Sequence, residues 1–196
     1  MKPNKQLVKK CNDYCDKAEH ILQEQEDTTP IPAMAREIIT CAKEMMDSVD
    51  TLPEAYHALR RIADCIDEHP RLLLQLKLTE LETVKRAEAI EKEEFSVKKP
   101  LLEEIEQLKA NIQAADEGRF SDIKTGRMLK SDPIEWTTEY ENVIDDVNKE
   151  VYDNLKNTPR GMGFCFGYWA EKRTALAKRG IEWKSPNIMN PRVLFD

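Results

Sequence analysis

Glu54-Ala55-Tyr56-His57 sets a carboxylate and an imidazole three residues apart. At that spacing two side chains share one helix face and can hold a metal inside a four-helix bundle. A di-iron bundle needs a second such pair and two further glutamates, yet Lys17 stands three residues before His20 and Ile66 three before His69. Glu54 also has a structural use: Thr51 is placed to cap a helix start while Glu54 reaches back to the cap's own amide. The cap is the preferred reading, and metal binding by Glu54 and His57 the alternative; no cofactor is expected.

Cys11 and Cys15 lie one helical turn apart, and with Cys41 or His20 they could converge on zinc. Both fall on an apolar seam and no Cys-x-x-Cys pair occurs, so core packing is the expectation. No Ser or Cys stands in a recognisable nucleophile motif. The glycine cluster Gly161, Gly163 and Gly167 has no preceding strand, which removes a phosphate-cradling loop. Acid pairs such as Asp145-Asp146 and Glu103-Glu104 fall on solvent faces. No catalytic residue is assigned, and the chain reads as non-enzymatic.

Composition departs from the average only near the carboxy terminus. Six of the thirteen aromatic residues lie in the last 39 positions, among seven Lys and Arg. Aromatic rings that stack on bases beside cations that neutralise phosphates suit a nucleic-acid or protein contact. The candidate binding residues are Arg160, Tyr168, Trp169, Lys172, Arg173, Lys178, Arg179, Trp183, Lys184 and Arg192. The competing explanation is packing, because a short helix with an irregular tail buries enough area only by using large rings.

The wording of this segment is specific: Gly163-Phe164-Cys165-Phe166-Gly167-Tyr168-Trp169, Gly180-Ile181-Glu182-Trp183-Lys184-Ser185-Pro186, Asn190-Pro191 and Phe195-Asp196 in order. It resembles the carboxy-terminal motif of short uncharacterised phage and prophage proteins. The resemblance implies a mobile-element origin, carries no activity with it, and leaves the first 157 residues unaccounted for.

The elements that must position these residues are helices. Val8, Cys11, Cys15, Ala18 and Leu22 form a heptad-like seam over about 4–27, ended by Pro30 and Pro32. A second helix over 32–49 presents Met34, Ile38, Cys41, Met45 and Val49. A third, opened by Thr51, presents Ala55, Leu59, Ile62 and Ile66, and ends at His69-Pro70. A longer helix runs from Arg71 to about Phe95 with a drifting stripe of Leu76, Leu78, Leu81, Val84 and Ile90. Pro100 starts or kinks the next, whose Leu101, Ile105, Leu108 and Ile112 offer a seam for self-association; Gly118 stops it. Asp132-Pro133 opens a helix to about Asn157. The last helix spans 163–179, with Gly180 ending it and Ile181 folding back, after which prolines forbid regular structure.

These segments predict an all-α fold: an antiparallel helical bundle with long coiled-coil-like helices over 1–117, a linker over 118–133, and C-terminal helices with a basic, aromatic-rich module over 134–196. Net charge is −7, distributed as +4 over 158–196 and −11 over the remainder. No apolar run approaches the length of a membrane span, and five cysteines in helix interiors suit free thiols in a reducing compartment. The expected location is the cytoplasm. The expected role is protein interaction, with homo-oligomerisation possible and no membrane partner; nucleic-acid binding through the C-terminal module is the alternative.

Overall fold

The computed structural model describes residues 3–126 and 128–195. The fold is all-α, with no strand among the described residues. The helices are α1 (Pro3–Gln23), α2 (Ile31–Met45), α3 (Leu52–Ala63), α4 (Pro70–Glu91), α5 (Lys98–Asp116), α6 (Thr138–Glu141), α7 (Ile144–Leu155), α8 (Phe164–Ala177) and α9 (Pro186–Met189). No helix among the described residues is long and apolar enough to cross a membrane. The chain divides into two units, 1–109 and 110–196.

In the first unit α1 to α4 pack pairwise around Cys11, Cys15, Ile38, Met45, Leu59, Ile62 and Leu76. The α1 seam closes on Ile21, which is 4% exposed, rather than on Leu22, at 42%. The helix ends earlier than its apolar spacing predicts, because Gln25 takes a left-handed conformation and Glu26 N–H donates to the Ile21 carbonyl. Likewise α2 ends at Met45, which leaves Val49 at 58% exposure outside the core.

The expected capping box does not form. A 3₁₀ turn (Val49–Thr51) precedes α3, and the Thr51 hydroxyl turns back to donate to the Met45 carbonyl at 2.6 Å and the Ser48 carbonyl at 3.2 Å. Thr51 therefore adds a second hydrogen bond to the Met45 carbonyl, which also accepts the Ser48 N–H, instead of capping the start of α3. A smaller cluster joins Leu81 and Val84 of α4 to Leu101 and Ile105 of α5. Leu101 and Ile105, two of the four α5 residues predicted for self-association, thus pack against α4 within the unit.

In the second unit α7 and α8 pack together, with Tyr140, Ile144, Val147, Val151, Leu176, Ile181 and Trp183 as the core. The single helix expected over 133–157 is instead a 3₁₀ turn (Pro133–Trp136), α6 and α7. Thr137 causes the first break. Its backbone is extended, its hydroxyl donates to the Ile134 carbonyl at 2.8 Å, and its oxygen accepts the Tyr140 N–H. Gly118 and Gly180 end α5 and α8 as their positions predict: each has positive φ, and the residue after it bonds back to Ala114 and Leu176 respectively. Where prolines were expected to exclude regular structure, Pro186 occupies the first turn of the one-turn α9. Asp196, the end of the C-terminal motif, lies outside the described residues.

Candidate functional site

The ten C-terminal candidates separate into three environments. Lys172 and Trp183 are 3% and 5% exposed. The Lys172 ammonium lies 5.4 Å from the Trp183 ring, 5.8 Å from Tyr168 and 6.0 Å from Tyr140. The indole N–H of Trp183 donates to Glu135 Oε1 at 2.8 Å. This is core packing with cation–π contact, and it withdraws both residues from any phosphate or base.

Lys178 and Arg179 pair with the Glu150 carboxylate at 2.7 and 2.9 Å. Those two hydrogen bonds hold the Glu150 pKa below the usual carboxylate range and tie α8 to α7. Arg173, Lys178, Lys184 and an edge of Trp183 line one cleft, together with Asp132 and Glu182. The two acids offset most of its positive charge. Within it, Asp132 is spent on structure, accepting the Ile134 N–H at 3.2 Å and the Lys184 N–H at 2.6 Å.

The remaining candidates lie apart from that cleft. Arg160 is exposed and stands 4.5 Å over the Phe164 ring. Trp169 is half-buried between Phe166 and Phe195, edge to face at 5.6 and 5.1 Å. The Tyr168 hydroxyl lies 3.3 Å from Asn148 Oδ1, and Arg192 is exposed.

In the first unit, Glu54 and His57 are both exposed on α3. Among the described residues no group of three or more His, Cys, Asp and Glu converges as a metal site. Cys11, Cys15, Cys41 and Cys65 are buried, and Cys165 is half-buried. Burial pushes the Cys11 thiol up to about 12 and Cys15 to about 11, so neither is a nucleophile or ready thiolate ligand near neutral pH. His20 is exposed and apart from that packed set.

The sequence patterns did not single out a groove of about 620 Å³ in the first unit. One wall comes from Val49, Leu52, Pro53, Tyr56 and His57, the other from Thr83, Val84, Ala87, Ile90 and Glu91, and residues 93–97 close one end. Val49, Ile90 and Val97 are 58%, 41% and 38% exposed. The end wall is fixed by Glu88, whose carboxylate accepts the Phe95 N–H at 2.9 Å and the Lys98 ammonium at 2.7 Å. Those bonds, the lysine's first, lower its pKa. The signal that could have found the groove is the drifting α4 stripe, which carries more apolar positions than one neighbouring helix can cover.

Near it sits a buried acid, Glu80, at 4% exposure. Its Oε2 lies 3.5 Å from the Lys77 ammonium without a hydrogen bond, and Arg60 is 3.9 Å from Oε1. Burial raises its pKa, against the pull of Lys77 and Arg60. Comparison with protein-family models, curated proteins and solved structures finds no match to this chain.

Proposed function

We propose that this chain is a non-enzymatic helical protein-interaction protein of phage or mobile-element origin, and that the first-unit groove is its docking surface. The observation that carries the reading is an apolar groove flanked by Val49, Ile90 and Val97, large side chains left exposed at a helix pair. Contiguous exposed apolar surface costs solubility, and it marks contact sites in folded proteins. The non-enzymatic reading rests on where reactive groups sit: the Cys11 and Cys15 thiols are sealed in the core, and Glu54 and His57 face solvent.

Ala87→Arg tests the reading, because arginine keeps helix propensity while filling the groove floor. Affinity purification from cells that naturally produce the chain is expected to recover a stoichiometric protein partner with the wild type and lose it with the variant. The same proteins recovered with both, or none with either, would show that the groove is not a docking surface.

The second reading is nucleic-acid binding. It draws on the grouping of Arg173, Lys178 and Lys184 around one cleft, but it loses Lys172 and Trp183 to the core. Filter binding at low and high salt discriminates the two. The proposal expects no retention that falls steeply with salt, whereas phosphate contact requires that fall.

A further inference from the structure

We propose that the first-unit groove takes an amphipathic helix of a partner protein, with apolar side chains at i, i+3 or i+4, and i+7, flanked by Lys or Arg. The inference rests on the docking reading above and adds the chemistry of the occupant. Two helices form the walls, and a third helix laid between them is the arrangement that buries such a cleft. On α4 the lining runs from Thr83 to Glu91, eight residue steps or about 12 Å of helix, enough to seat two turns. Ala87 supplies a small, half-buried floor on which a larger anchor can rest.

Charge sets the flanks. Glu91, Glu93 and Glu94 border the groove, all three are exposed, and Glu91 and Glu93 form no ion pair among the described residues. The unit as a whole carries 17 Lys and Arg against 23 Asp and Glu. A basic segment is therefore steered to this face and an acidic one repelled. The same rim argues against a second copy as occupant, since a two-fold contact over this groove would press one acidic border onto the other. Because Glu88 holds Phe95 in place, the end wall needs no ordering when the helix arrives, and affinity is not lost to that step.

The test is selection on the full-length protein from a displayed library of helical peptides with a fixed apolar face and randomised flanks. The enriched peptides are then measured against the wild type, Ala87→Arg, and the triple variant E91K/E93K/E94K, with all three checked by sedimentation. Enrichment of Lys and Arg flanks is expected, with affinity falling at least tenfold in Ala87→Arg and at least tenfold in the triple variant. Peptides that need the groove but carry neutral or acidic flanks would overturn the charge assignment and leave the docking reading standing. Failure to enrich any peptide sensitive to Ala87→Arg would overturn both. A wild-type dimer that Ala87→Arg dissociates would assign the groove to a second copy and contradict the proposal.

Discussion

The four buried cysteines show how environment decides whether a side chain with chemical potential has chemistry. At pH 8 a thiol with a pKa near 12 or 11 is a thiolate on the order of 10⁻⁴ or 10⁻³ of the time, and burial denies it a reagent besides. A disulfide reagent added to the native protein is expected to modify Cys165 first and the other four only as urea unfolds the chain; rapid reaction of all five would contradict this packing. Glu80 carries the opposite lesson, a charge buried with imperfect partners. Its raised pKa means that the folded state holds the proton more tightly than the unfolded state. Glu80 therefore lowers stability as pH rises from the ordinary glutamate range through its folded pKa, and the penalty is full above that. With Lys77, Arg60 and Glu104 unchanged around it, Glu80→Gln should flatten this part of the profile, so its urea midpoint gains on the wild type as pH rises above the ordinary glutamate range. An unchanged difference would show Glu80 fully compensated.

At the scale of elements, the starts of α1 to α5 and of α8 were legible, and stops were legible where glycine marks them. Gly118 and Gly180 were readable because a left-handed residue after a helix favours glycine, and both adopt positive φ. Gly180→Ala should cost about 1 kcal/mol, whereas Gly161→Ala, where φ is not positive, should be close to neutral; equal urea midpoints for the two would contradict the assignment. Gln25 and Lys92 do the same job without glycine, so the ends of α1 and α4 were not visible from residue type. Thr51 misled for a related reason. Its type and its distance from Glu54 fit a capping box, but the short 3₁₀ turn before α3 points the hydroxyl at Met45, and only the fold supplies that geometry. Thr137 hides its break in the same way, since threonine is tolerated in helix interiors and interrupts one only when its own hydrogen bonds compete.

For the whole molecule, the all-α class followed from apolar spacing alone, while the surfaces did not. Composition drew attention to the basic, aromatic C-terminal stretch, yet Trp183 and Lys172 there build the core of their unit. Sequence could not separate rings that stack on a ligand from rings that pack on Val147 and Leu176. The groove went unseen because its apolar residues come from two helices, a 3₁₀ turn and a connection, none of which is conspicuous by itself. On the reading proposed above, this groove meets a protein. The most direct test is in-cell photo-crosslinking with p-benzoylphenylalanine placed at Ile90, and at Met162, which is 92% exposed in the other unit, as control. A discrete protein adduct from Ile90 that Ala87→Arg removes, with no counterpart from Met162, is expected; no adduct at Ile90, or the same adduct from both positions, would rule out docking in this groove.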